Sequence, residues 1–136
     1  MKATTPVQIR FSDVDLAQHV HNAVDLQWFA LARMAFLRTI VPPEHDWKAQ
    51  SLILARNEVD YRMPIHLHDN IVAEAWCSTM GSKSFDLSYR ILRIIDDGTE
   101  LCAEGRSVMV CFDYAQKRSI PVPDQWRIGL EATIPQ

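Results

Sequence analysis

The sequence has no apolar run approaching the roughly 18 residues that a membrane-crossing helix needs, which excludes helical membrane spanning. It has no excess of positive charge either. Fourteen Lys and Arg against 17 Asp and Glu leave a formal charge of −3. Wholesale nucleic-acid binding is therefore disfavoured, and an anionic ligand would need a local basic patch. The three cysteines, Cys77, Cys102 and Cys111, form neither a CxxC pair nor a metal-ligand spacing. They read as reduced, apolar fillers of a cytosolic protein rather than a disulfide framework. The opening Met1-Lys2-Ala3-Thr4-Thr5-Pro6 lacks the apolar core of a signal peptide, so the expected location is the cytoplasm. What the chain does have is enough apolar material for a core: 136 residues, 48% hydrophobic and 23% charged, fit one domain over residues 1–136.

Val7 to Phe11 alternate apolar and polar residues, which predicts a strand with one buried face. A polar stretch from Ser12 to Asn22 reads as an ordered loop. Asn22 is a suitable N-cap, and Asp25 can serve the orphan amides and the dipole of a helix beginning there. Leu26, Ala30, Met34, Leu37 and Val41 carry the helical spacing, while Trp28, Phe29, Leu31, Ala32, Ala35 and Phe36 make the other faces apolar. Such a helix is expected to be buried on most sides, with Pro42-Pro43 ending it. Arg33 within it predicts a buried carboxylate partner, because a lone buried charge is expensive.

The second half predicts four strands, at Leu52 to Arg62, Asn70 to Met80, Ser84 to Ile95 and Leu101 to Phe112. The short separators suit an antiparallel meander, and the tail from Tyr114, with three prolines, reads as irregular. About five long, curved antiparallel strands wrapped around one central helix give an α+β architecture that resembles the hotdog fold. Its uncovered edges predict association into a homodimer or homotetramer.

Asp13, Asp15, His19, His21 and Asn22 stand just before the predicted helix start. A helix N-terminus can stabilise an anion or a developing oxyanion, and a nearby carboxylate can act as nucleophile or general base. That combination suits hydrolysis of an activated acyl group. Phe11-Ser-Asp-Val-Asp15-Leu-Ala-Gln-His19-Val-His-Asn22-Ala, followed by an aromatic and Ala32-Arg33, resembles the DxDxxxHVNNA…aR signature of the 4-hydroxybenzoyl-CoA thioesterase-like acyl-CoA thioesterases. Val59-Asp-Tyr61-Arg-Met-Pro64, Gly81-Ser-Lys-Ser84-Phe and Gly105-Arg-Ser-Val, ahead of Ile120-Pro121, are similar too, so the likeness runs from about residue 7 to Trp126.

The resemblance implies that Asp15 is the catalytic carboxylate, that His19 organises the loop or orients water, and that Asn22 and the helix-start amides, with Ala23, lie beside the thioester. It also implies that Ser84 and Lys83, in the Gly81 to Ser84 turn, and Arg118, in the Lys117-Arg118 pair, lie near the pantetheine arm and phosphates. No metal or redox cofactor is implied, since CoA belongs to the substrate. Three positions depart from the pattern: Gln18 replaces a small residue, His21 replaces the first asparagine of the pair, and Asp25 replaces an aromatic. A charged Asp25 would oppose a developing oxyanion unless it points away.

Plainer roles compete. Asp13 suits a loop residue satisfying backbone amides, and Asn22 a helix cap. A divalent metal on Asp13, Asp15, His19 and His21 is a minor alternative. Two other functions remain open: a hydratase or dehydratase of acyl thioesters, whose aspartate-x-asparagine-x-x-histidine and histidine-phenylalanine-proline-glycine patterns do not occur here, and a non-catalytic acyl-CoA-binding module.

Overall fold

The computed structural model describes residues 2–136. The chain begins with β1 (Ala3–Val7) and a 3-10 turn at Phe11–Asp13, and α1 (Asn22–Leu37) leads into β2 (Ser51–Tyr61). There follow β3 (Ile71–Met80), β4 (Ser84–Ile95), β5 (Gly98–Asp113), β6 (Arg118–Ser119) and α2 (Asp124–Glu131). All pairings are antiparallel, in the order β1-β3-β4-β5-β2, with the short β6 also on β5. This is the α+β hotdog arrangement expected, with long strands and a central helix.

Period-two burial builds the inner face of the sheet. Ile71, Ala73, Ala75 and Cys77 of β3 and Phe85, Leu87, Tyr89 and Ile91 of β4 are all buried. α1 lies mainly over β3, β1 and β4. Its buried stripe is Val24, Asp25, Trp28, Phe29, Ala32 and Phe36. The Phe29 and Tyr89 rings stack at 4.6 Å, nearly parallel. Beneath that pair, a Cβ added to Gly105 would strike both the Phe29 ring and the Glu58 carbonyl. Glycine is therefore what allows β5 to pass under the helix.

Several sequence expectations need correction. The first strand lies at Ala3–Val7 rather than Val7 to Phe11, and Phe11 is strongly exposed. α1 ends at Leu37, four residues before Val41. There Thr39 donates from Oγ1 to the Phe36 carbonyl and the chain continues in tight turns. The helix is also not covered all round, since Leu31 and Met34 remain about half exposed. Arg33 has a phenol as partner rather than a carboxylate, donating to the Tyr89 hydroxyl at 3.1 Å. The tail is ordered: α2 follows Pro123 and buries Trp126 and Leu130, each worth roughly 1.5–3 kcal/mol of transfer free energy. No helix among the described residues is long and apolar enough to cross a membrane.

Candidate active site

The loop before α1 is closed by its own backbone. Asp15 donates its amide to the His19 carbonyl at 2.9 Å, and Gln18 donates to the Asp15 carbonyl at 2.9 Å. Val14 and Val20 bridge as an isolated antiparallel pair. Gln18 takes the left-handed conformation, φ 65°, where a side chain is strained. The Asp15 side chain completes the closure: Oδ1 accepts from the Ala17 amide at 2.9 Å and the His19 amide at 3.3 Å. Oδ2 makes no hydrogen bond among the described residues. The carboxylate is thus oriented through one oxygen, with the other presented outward.

Asp13, two residues away, is a structural group. It is buried at 3% exposure and accepts from the Arg10 amide at 2.8 Å and from the Arg10 guanidinium at 2.8 Å. The Arg10 hydrogen bonds hold its carboxyl below the usual range. His21, not Asn22, caps α1: its Nδ1 accepts from the Ala23 amide at 3.2 Å. Asn22 is instead the first helical residue. The cap shifts by one position because an imidazole nitrogen can accept as an asparagine oxygen does.

Two cavities flank the loop. Asp15 lines the larger, of about 600 Å³, with Phe11, Leu16, Gln18, His66 and His68. His19 and Asn22 line the smaller, of about 240 Å³, with Asp25, Tyr61 and Arg62 against Val20, Met63, Pro64 and Ile65. His19, on the wall of the smaller one, links the two. Its amide holds Asp15, and its ring meets the His66 ring edge-on at 5.2 Å. Behind the larger cavity, Arg93 ties Asp69 and Glu100 at 2.9 Å each.

Asp25 does not serve the orphan amides of the helix. Its side chain is buried at 4% exposure and turned into the smaller cavity. Burial pushes its carboxyl up to about 6. Sequence reasoning did not give it a site role, although it stands four, seven and eleven residues before Phe29, Ala32 and Phe36, on the buried stripe. Tyr61 was likewise missed. Its hydroxyl donates to the Asn22 carbonyl at 2.6 Å, and burial, with a smaller contribution from Asp25, raises its phenol above the ordinary value.

The remaining expected residues lie elsewhere. Lys83 and Ser84 belong to the β3–β4 turn, and Ser84 pairs with Val110. Arg118 pairs with Asp113. Asp15 neighbours the segment entering β3 at Ile71, so these residues stand at the opposite end of the sheet, about 30 Å away at ~3.3 Å per strand residue. One chain does not bring them together. Nor do the four candidate metal donors converge: Asp13 is held by Arg10, His21 caps the helix, and no group of three His, Cys, Asp or Glu among the described residues could hold an ion.

The fold as a whole recurs in known proteins. The chain matches a solved structure of a predicted thioesterase from Bacillus stearothermophilus at 26% identity, with TM-score 0.88, covering 100% of this chain and 98% of that one. A Thermus thermophilus thioesterase, solved with coenzyme A and zinc, is 31% identical, with TM-score 0.81 and coverage of 95% and 91%. A 1,4-dihydroxy-2-naphthoyl-CoA thioesterase from Synechocystis shares the fold at 20% identity, with TM-score 0.83 and 96% coverage of each chain. No curated protein matches the chain. A family model described as the thioesterase-like superfamily matches residues 9–130, nine-tenths of the sequence, and the chain belongs to the thioesterase-like superfamily.

Proposed function

We propose that the protein hydrolyses an acyl-CoA thioester to the free acid and CoA, with Asp15 supplying the chemistry. The observation that carries this reading is the Asp15 carboxylate, held through Oδ1 by two amides and free at Oδ2 on the wall of the larger cavity. As general base, Oδ2 takes a proton from water as the water oxygen bonds to the thioester carbon. The tetrahedral intermediate then breaks its C–S bond, and the proton returns to the departing CoA thiolate. As nucleophile, the same oxygen would bond to the thioester carbon as the C–S bond breaks and CoA leaves as a thiolate. Water would then open the mixed anhydride to the free acid and the regenerated Asp15 carboxylate, the proton released going to the thiolate.

The Ala23 amide is engaged by His21 and the Val24 amide by the His21 carbonyl. Polarising the substrate carbonyl therefore falls to the amide and side chain of Asn22, at the positive end of α1. His19 keeps Asp15 oriented, and the thioester carbon lies between Asp15 and Asn22 with the acyl group in the smaller cavity.

Lys83, Ser84 and Arg118 enter this reading through a second copy. β2 is an edge strand with only β5 beside it. Antiparallel pairing of two β2 edges sets Tyr61 of one copy near Ser51 of the other, whose neighbour is Phe112. That brings the partner's β3–β4 turn and β6 toward the loop, where their cations meet CoA phosphates. The protein then acts as at least a homodimer, needs no metal or redox cofactor and works in the cytoplasm.

The test is thiol release from a panel of acyl-CoA esters by wild type and Asp15→Asn. Turnover falls by several orders of magnitude in the variant while its unfolding transition is kept. Near-wild-type hydrolysis by Asp15→Asn would sink the assignment. The engaged Ala23 amide favours one second reading, acyl-CoA binding without turnover. Saturable binding by wild type with no thiol released over hours would establish it.

A further inference from the structure

The buried and half-buried carboxylates near the site, one excepted, are held by a neighbouring cation. Asp13 has Arg10, and the half-buried Asp69 has Arg93 and the His66 amide. Asp25 is the exception. It is 4% exposed, lines the smaller cavity, and apart from its own amide has no hydrogen-bond partner among the described residues. No side-chain oxygen or nitrogen among the described residues is both sealed from solvent and unpaired, so the Asp25 carboxyl opens to the cavity, and whatever fills that cavity must supply its donor or leave it unpaired at a cost.

The neighbours of Asp25 do not supply it. The Tyr61 hydroxyl spends its proton on the Asn22 carbonyl. The Arg62 guanidinium is half exposed and turned toward Glu104 at 3.1 Å and Asp60 at 3.8 Å. The His19 ring faces His66. Opposite these polar groups the wall is apolar, made by Val20, Met63, Pro64 and Ile65. At about 240 Å³ the space lies below the roughly 300 Å³ at which drug-sized pockets begin, so it suits a short acyl group.

Resting on the thioesterase reading above, we infer that this cavity selects short acyl groups that carry a hydrogen-bond donor, a hydroxyl or an ammonium, and that Asp25 is the residue that receives the donor. A plain hydrocarbon chain of the same size leaves the carboxyl stripped of water and unpaired. A donor on the chain satisfies it. Sites built to hydrogen-bond a substrate group discriminate strongly against the analogue that lacks it, whereas a purely apolar pocket discriminates weakly. Asp25 is thus a specificity residue, and the bond-breaking chemistry stays with Asp15.

Three thioesters of nearly equal size test this: 3-hydroxypropionyl-CoA, 3-aminopropionyl-CoA and butyryl-CoA, which differ only in a terminal hydroxyl, ammonium or methyl. For wild type, kcat/KM for at least one donor-bearing ester exceeds that for butyryl-CoA tenfold or more. Asp25→Leu brings the ratio to one or inverts it. Asp25→Asn, which keeps the shape and one acceptor oxygen but not the charge, separates the two donors: loss of preference for the amino ester alone identifies an ammonium, and retained preference for the hydroxy ester identifies a hydroxyl. Equal use of all three esters by wild type overturns the inference, as does an unchanged preference in Asp25→Leu or, should that variant not fold, in both arms of Asp25→Asn. Dissociation constants for the thioether analogues, measured by calorimetry, keep the two readings apart. A donor preference in binding without hydrolysis of any ester upholds the Asp25 site and fails the hydrolase reading, and hydrolysis with no donor preference does the reverse.

Discussion

The Tyr61 hydroxyl donates a 2.6 Å hydrogen bond to the carbonyl of Asn22, tying the end of an edge strand to the first residue of the central helix. The two residues are 39 positions apart, and between them they form one wall of the smaller cavity. Tyr61→Phe removes the tie and keeps the ring. The expected cost is about 1 kcal/mol of stability, measured by chemical denaturation. The helix start loses its clamp as well, so KM for the thioester rises.

Asp25 makes stability depend on pH in a direction opposite to that of a paired aspartate. Its carboxyl is held near 6 in the folded chain against an ordinary value of 3.8. Between those two values the folded state keeps a proton that the unfolded state has released. Stability from this group therefore declines as pH rises through the window, and the full penalty is present above about 6. Asp25→Asn abolishes it. At pH 7–8 the variant is expected to be more stable than wild type by on the order of 2–3 kcal/mol, and the gap closes toward pH 4. Paired denaturation curves at pH 4, 6 and 8 check the sign.

Gln18 sits at φ 65° in the loop that orients Asp15. A side chain in that region costs roughly 1 kcal/mol. Gln18→Gly removes the steric penalty and is expected to raise the melting midpoint. The Asp15 hydrogen bonds to the Ala17 and His19 amides are kept, so thiol release stays within a few-fold of wild type. A lowered midpoint would show that the glutamine side chain makes a compensating contact.

Lys83 and Arg118 stand at the far end of the sheet from Asp15, and the proposed dimer is what would bring them to CoA. Replacing both by alanine is expected to raise KM for an acyl-CoA by about tenfold or more through lost charge-assisted contacts. KM for the corresponding acyl-pantetheine, which lacks the nucleotide, stays put. Added salt narrows the difference, because exposed charges are screened. Equal effects on both substrates would remove these cations from the nucleotide site.

The meander was legible because its turns are chemically marked: β4 lies at Ser84–Ile95 as read, bounded by Gly81-Ser82-Lys83 and Asp96-Asp97-Gly98. β1 was displaced because Thr4, Thr5 and Pro6 carry little apolar signal, while the alternation of Val7 to Phe11 runs on past the strand. The three prolines of the tail concealed α2, since proline just before a helix's first turn is compatible with that helix. At the site, the roles of Asp13 and Asp15 separate only in three dimensions. The two differ by the presence of Arg10, which takes one and leaves the other. Asp25 could have been found from its place on the buried stripe, but that stripe is blurred in a helix whose outer face also carries Leu31 and Met34. The separation of Lys83 and Arg118 from the loop depends on strand direction, which no local pattern encodes.

The order of strands in the sheet also carries a consequence for how the molecule comes into being. β3, β4 and β5 pair with their neighbours in sequence, through short turns. The two edges do not: Ala3 pairs with Ala75, and Ser51 with Phe112. Closing those long loops costs chain entropy before any pairing rewards it, so the edges dock onto a meander already in place. Asp15, the helix start and Tyr61 all lie in the segment between or at those late edges. In a refolding experiment, recovery of thiol release then reports the last contacts made, and trails the return of sheet signal.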